Sequence, residues 1–501
     1  MDRRHLLRAA AAAALLPLGA TARARPARSA DFATAVAAHP IYAPFRGVDD
    51  TSGNIDGEAL VRGRWPEALR GRFHRNGPAL YERGGERYHH WFDGDGMVQQ
   101  YTIADGRVRH RGRLVRTAKL ASEQRAGRFL VSAVGTHVDG GLPAGGPDHF
   151  NAANTNALEH GGRLLALWEG GSAYALDPRD LSTIGPVTWR PDLKQVPFSA
   201  HPKVDAQGHL WNIGTFGPSI VLWHIDPQGR LVDVQVGESP YPGGMVHDMA
   251  VTERHVVVPL PPVSFRIERP VEGPRRFALE AGQPLRILVA EKADLARRRV
   301  FELPAEMVFH VGNAHEDRLG NIVLSYVGAP DAWSLDQGAV AVMSARPARG
   351  SVARVAIATL DLASGRAPVR AQQVGNAEFP RIDPRLNGLP ARGLLMASGW
   401  RGDADHQGAF RHGVQWLDTD SGRLDRYDYG EQMIVEEHIV VPRPGGRGER
   451  DGWLLGTTYD ARRDATVLNL LDAAHIADGP VAQAVLPYRL PLGFHGNWAP
   501  G

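Results

Sequence analysis

The chain has no cysteine. That excludes disulfides, thiolate metal sites and thiol nucleophiles together, and leaves imidazole and carboxylate as the metal donors on offer. No apolar run approaches the ~20 residues that a membrane-spanning helix needs. Long runs of one charge are missing as well. The formal net charge is +2 over 501 residues, with no stripe of basic and aromatic residues, so the electrostatic footprint of a nucleic-acid binder is absent. Familiar metal signatures are also lacking: there is no HExxH and no EF-hand loop. Asp93-Gly94-Asp95-Gly96 has neither the DxDxDG spacing nor the distal glutamate of a calcium loop and reads as a β-turn.

Histidine is what the chain has instead. Of its 21 histidines, four sit in short distinctive settings: His201 in AHPKVD, His247 in MVHDMAVTE, His310 in FHVGNAHED and His495 in FHGNWAP. A single histidine is more often a surface or hydrogen-bonded residue than a ligand. These four lie far apart in sequence, so no local motif contains them. If they act together, the fold must bring them to one point, and that point would be a divalent metal. Two of them stand at the mouth of β-rich apolar runs, where a strand end would present a side chain to a central site.

The remaining sequence is punctuated like a β protein. Short apolar runs such as RLLALWEGG and GVQWLDTDSGR alternate with turn clusters, and three turns resemble one another: IDPQGR (225–230), LDLASGR (360–366) and LDTDSGR (417–423). Asp at the turn entry can accept from the backbone, and Gly supplies positive φ. With 57 glycines and 36 prolines breaking helices, the pattern predicts an all-β propeller or sandwich. A propeller has an axial channel onto which strands from different blades converge. Helical pieces are expected to be few, with 32–38 and 289–297 (VAEKADLAR) as candidates and the segments that cap the ring not located by the pattern.

Residues 1–24 follow a different grammar. Arg3-Arg4, an apolar stretch from Ala9 to about Leu18 and the small-x-small site Ala22-Arg23-Ala24 predict a cleaved export signal of the twin-arginine type, and so a periplasmic protein. The rest, 25–501, is expected to be one domain, since rings of repeated small sheets exceed ordinary domain size.

The four histidine settings, taken with GRFHRNGPAL (71–80), HHWFDGDGM (89–97), NTN (154–156), LWEGG (167–171) and EFPRID (378–383), resemble the carotenoid cleavage oxygenases, from about Gly47 to Pro500. The resemblance implies a seven-bladed β-propeller with a helix-and-loop dome over the iron face. It implies Fe(II) held by His201, His247, His310 and His495, with Glu169, Glu378 and a third carboxylate behind them and Thr155 beside one coordination position; Glu431, Glu436 and Glu437 all stand near the third place, and Glu437 is preferred for its spacing to the PRPGG turn. The implied activity is dioxygen-dependent cleavage of a C=C bond of a carotenoid or apocarotenoid to two carbonyls, without catalytic residues beyond the metal ligands.

The same resemblance carries alternatives. Relatives that cleave lignin-derived stilbenes or phenylpropenes have a tyrosine where Trp91 stands and a lysine about where Lys119 stands, to grip a phenol. Here the lysine position is filled and the tyrosine is not, which favours an apolar polyene, although Tyr88 and Tyr101 could substitute. An isomerohydrolase would use the same ligands, and a propeller used only for binding would lack iron. Trp91 and Phe92 would ordinarily be core residues. Val258–Phe265 (VPLPPVSF) is either a surface for peripheral membrane contact or a buried loop.

Ligation by neutral imidazoles would leave the metal its full charge and two cis positions open, and a carboxylate on each far ring nitrogen would fix the tautomer. For the export reading, Arg3→Lys combined with Arg4→Lys should leave uncleaved precursor in the cytoplasm on fractionation and immunoblotting. Undiminished periplasmic mature protein would point to the general secretory route.

Overall fold

The computed structural model describes residues 27–49, 53–143, 145–242, 244–265, 277–400 and 410–501. The signal reading of 1–24 lies outside the described residues. Seven antiparallel sheets of four or five strands form a ring, a seven-bladed propeller as the resemblance implied. Six blades begin at the axis with Asn156–His160, Lys203–Val204, Ala250–Val251, Met307–Glu316, Asn376–Arg381 and Met433–Pro442, and step outward along the chain. These are the second to seventh blades. The first is built differently, because its innermost strand is the last of the chain, His495–Pro500.

Both chain ends therefore staple the ring. His495–Pro500 pairs with Gly71–Leu80 in the register Asn76 with His495 and Gly71 with Pro500. Leu60–Gly63 completes the seventh blade from outside by pairing with Pro480–Val485. Neighbouring blades then share buried apolar clusters. Phe73 and Tyr101 of the first meet Ile439 and Leu455 of the seventh, and Leu165 and Leu167 of the second meet Val221 and Trp223 of the third. Covered on both faces, middle strands such as GLLMASG are buried at every position, which is why they read as runs rather than alternations.

The three similar turns are hairpins. Asp226 Oδ1 accepts from the amides of Gln228 and Arg230, Asp361 Oδ1 from Ala363 and Ser364, and Asp418 Oδ1 from Ser421. Gly229, at φ +78°, closes the first of them in a conformation that costs a β-carbon-bearing residue energy.

Of the two expected helices one is borne out and one is corrected. Residues 32–38 are helical, within Ser29–Ala38, and bury Phe32 and Val36 one turn apart. Residues 289–297 are instead the end of Leu285–Glu291, a tight turn and the start of Asp294–Leu303. Helix-favouring Ala, Glu and Lys there yield to a ten-residue strand laddered against Leu285–Glu291, with Gln235 Oε1 taking the Leu295 amide. Within VPLPPVSF, Val258, Leu260 and Val263 are buried, at most 3 % exposed. No described helix is long and apolar enough to cross a membrane.

Backbone closeness at the staple gives a test. A β-carbon on Gly496 would stand 2.2 Å from the His74 carbonyl oxygen, whereas one on Gly282 would meet nothing within 4 Å. Gly496→Ala should lower stability by about 1–3 kcal/mol in denaturant titration, with Gly282→Ala close to neutral. Equal effects would mean that the terminal strand does not govern closure.

Candidate metal centre

Each of the seven blades contributes to the centre from its inner edge. His201 and His247 immediately precede the axial strands of the third and fourth blades, His310 lies within that of the fifth, and His495 opens that of the first. Glu378 and Glu437 come from the sixth and seventh. Thr155 precedes the axial strand of the second, and Glu169 follows that blade's next strand.

A regular strand would point alternate residues across the sheet, not down the axis. Each axial strand that carries a site residue internally is broken by a register shift at that residue. The shifts run from Val308 to Val311 around His310, from Glu378 to Arg381, and from Val435 to His438 around Glu437. Such bulges re-aim a side chain. The sharpest case is Phe379, held at φ +56° directly after Glu378, with its amide donating to Glu378 Oε2 at 2.7 Å.

One ring nitrogen from each of the four histidines lies within 4.8 Å of the others, and all four side chains are buried. The Nε2 atoms of His201 and His247 are 2.9 Å apart, those of His310 and His495 3.1 Å. On three of the four rings the opposite nitrogen is tied back. His247 Nδ1 pairs with Glu169, His310 Nδ1 with Glu378 Oε2 at 2.5 Å, and His495 Nδ1 with Glu437 Oε1 at 2.9 Å. With Nδ1 engaged as donor, each of these Nε2 atoms presents its lone pair to the axis. The donor set fits one divalent first-row metal. Of the three neighbouring glutamates it is Glu437 that reaches His495; Glu436 instead pairs with Arg75 and the Gly493 amide.

Burial together with the neighbouring imidazoles pushes His201 well below the usual histidine range, and burial takes His495 down to about 4. His310 runs the other way: burial opposes its charge, but Glu378 outweighs it and raises the group. Glu378 and Glu437 are held down at about 2 against their own burial, the first chiefly by His310, the second by Arg381 and His495. The carboxylates are thus ionised, ready to stabilise positive charge on the rings, whether a proton's or a metal's.

Above this group lies a cavity whose apolar walls include Trp91, Phe92, Trp168, Phe309, Trp333, Phe379 and Phe494, floored by His247, His310 and His495. Thr155 lines it too, its hydroxyl donating to Asn154 Oδ1. Segments Ser334–Gly338, Ala339–Met343 and Trp91–Asp93 cover the histidine face. Trp91 and Phe92 are therefore cavity walls as well as packing residues. Trp91 meets Phe494 edge-on at 4.8 Å, and Asp93 anchors the turn through Gly135 and Thr136.

Lys119 is not there. Its ammonium is buried away from the cavity, donating to Asp95 at 2.8 Å and the Tyr88 hydroxyl at 2.7 Å, with Glu123 at 3.4 Å. A buried cation must be matched by anions, and those two acids, joined by Arg83, fix it in place. Neither Tyr88 nor Tyr101 lines the cavity; both are fully buried elsewhere.

Four contributors went unread in the sequence. Phe309 stacks on His247 at 3.9 Å and 6°. Asp248 accepts from the Val311 amide and from Lys203, tying the fourth blade to the fifth. Trp168 and Arg411 line the cavity. The first two stand directly beside ligand-candidate histidines, which was the available signal; Arg411 has none.

An axial imidazole cluster beside an apolar cavity is a propeller-borne candidate metal site open to an apolar small molecule. The family model described as retinal pigment epithelial membrane protein matches residues 50–500, and the chain belongs to that family, the carotenoid cleavage oxygenases. It is similar to apocarotenoid-15,15'-oxygenase of Synechocystis, 31 % identical over 88 % of this chain and 92 % of that one. It is equally similar to lignostilbene-alpha,beta-dioxygenase isozyme III of Sphingomonas paucimobilis, 31 % identical over 90 % and 97 %. Cobalt-substituted Synechocystis apocarotenoid oxygenase superposes with a TM-score of 0.81 at 28 % identity, covering 92 % of this chain and 99 % of that one. The protein is accordingly a cleaving dioxygenase.

Alanine at any one of His201, His247, His310 or His495 should abolish turnover and sharply reduce bound metal measured by inductively coupled plasma mass spectrometry. Full occupancy and activity in one variant would remove that residue from the site. Glu169→Gln and Glu378→Gln should fold but lose about 10–100-fold in activity or metal affinity; wild-type behaviour in both would make these carboxylates incidental.

Proposed function

We propose that the enzyme binds Fe(II) through His201, His247, His310 and His495 and uses dioxygen to cleave a C=C bond of a carotenoid or apocarotenoid. One alkene and one dioxygen give two carbonyl products, so the atoms balance without a further reductant. Bound iron supplies dioxygen activation. The chain supplies the rest: Glu169, Glu378 and Glu437 hold the rings in one tautomer, Thr155 narrows one side of the axis, and the aromatic walls seat hydrocarbon and exclude water.

The absence of any tyrosine or lysine from the described cavity lining carries the preference for a polyene. A phenol hydroxyl buried here would find neither half of the pair that grips it in stilbene cleavers, at a cost of about 1–3 kcal/mol, or roughly 5- to 150-fold in relative rate. The second reading, cleavage of a lignin-derived stilbene or phenylpropene at the same iron, is favoured by the lignostilbene relative's equal similarity. Export to the periplasm by the twin-arginine route is part of the proposal and rests on residues 1–24.

Aerobic incubation of the Fe(II)-loaded protein with β-carotene, an apocarotenal and a hydroxystilbene, followed by mass analysis of aldehydes, tests the choice. The polyene reading expects aldehydes from β-carotene or the apocarotenal and little from the stilbene, with Lys119→Met scarcely altering polyene cleavage if it folds. Preferential stilbene cleavage supports the second reading. No oxygen uptake with any of them, and no stoichiometric iron, would leave a binding propeller.

A further inference from the structure

One charged side chain in the cavity wall makes no hydrogen bond to the histidines or to the carboxylates behind them, although its charge helps to keep Glu378 ionised. Arg411 lines the same cavity as Phe379 and His310. It is half-buried, its Nε is sealed from solvent with no hydrogen-bond partner, and its guanidinium makes no ion pair among the described residues. Glu378 is the acid whose field it feels. That carboxylate is already engaged by His310 Nδ1 and the Phe379 amide, and no contact of hydrogen-bond length joins it to Arg411. The other guanidinium groups near the axis are satisfied. Arg75 donates to the Glu437 carbonyl and to Glu436, and Arg381 to Gly496 and Asn497.

Desolvating a guanidinium without acceptors is costly, and a site that keeps one in an apolar wall gains when a ligand supplies them. Its planar fork of donors matches a carboxylate better than a hydroxyl or an ether. From this juxtaposition we propose that Arg411 is a substrate-specificity residue that receives the terminal carboxylate of a rod-shaped alkene lying in the cavity, so that within the proposed substrate class an alkene with an apolar body and a terminal carboxylate is preferred over its ester. The inference rests on the cavity being the alkene site and names which end of the alkene is recognised. It asks nothing of the chemistry at the double bond. Arg411 contributes by setting how far that bond is carried past the Nε2 cluster.

Equilibrium binding separates this from the reading on which it rests. Fluorescence of the cavity tryptophans Trp91, Trp168 and Trp333 reports occupancy. The probes are 4-(2-phenylethyl)benzoate and its methyl ester, which lack the cleavable bond, and retinoate with methyl retinoate, all under anaerobic conditions in metal-loaded protein. In at least one pair the wild type should bind the acid about 10–100-fold more tightly than the ester, as expected for a charge-assisted fork. Arg411→Met should bring that ratio near one, and Arg411→Lys should retain part of it. Taking the ratio within each variant removes losses of fold or metal that weaken both probes alike. A ratio near one in the wild type for both pairs, or one unchanged in Arg411→Met, overturns the role of Arg411 while leaving the cavity as the alkene site. If no probe binds, the cavity assignment falls and the inference with it.

Discussion

Four buried imidazoles whose ring nitrogens lie within 4.8 Å of one another cannot all be cationic, and their convergence is the constraint on which the rest of the structure depends. Burial drives His201 and His495 toward their neutral forms, whereas the carboxylate of Glu378 raises His310. A divalent cation would be held by the four Nε2 lone pairs that face the axis. The glutamates work from behind. Each takes an Nδ1 and leaves the Nε2 no role but to face the axis. None of this is local. The four rings come from four blades, so their spacing is only as firm as the ring's closure, and His495 sits on the strand that closes it.

How much of this could be read in the sequence depended on range. Turns built from contacts within five residues were legible: Asp226 and Gly229 announce their hairpin because its bonds run between Asp226 and the next four residues. The histidine settings were legible as strings, though only the fold could bring them together. The stretch 289–297 misled because its helix-favouring composition is outweighed by the ladder between Leu285–Glu291 and Asp294–Leu303 and by a side-chain contact from Gln235 of the neighbouring blade, 60 residues away. Lys119 misled for another reason. Its motif position suggested a phenol grip, but a lysine's reach is decided by the nearest acids, and Asp95 and Glu123 hold it out of the cavity. Arg411 left no trace at all, since one arginine in GAFRHGVQW carries no periodicity, spacing or partner that a sequence displays.

Metal site and cavity are joined through Glu378 and Phe379. The bulge that turns Glu378 toward His310 also forces Phe379 into a left-handed conformation and makes its ring a cavity wall beside His495. Backbone strain is thus placed where the group that fixes a ligand meets the surface that seats hydrocarbon. His247 makes a parallel connection, stacked on Phe309, which faces Phe92 across the cavity at 6.2 Å. Aromatic packing and imidazole orientation are therefore coupled, and a cavity substitution at Phe309 or Phe379 acts on both.

The central claim is that four imidazoles, and no carboxylate, bind one iron. X-ray absorption at the iron edge of the anaerobic, Fe(II)-loaded protein addresses it without any substrate. The account predicts stoichiometric iron with four nitrogen neighbours in its first shell and the multiple-scattering signature of four imidazole rings. A shell dominated by carboxylate oxygen, or one with only two or three imidazoles, would contradict it.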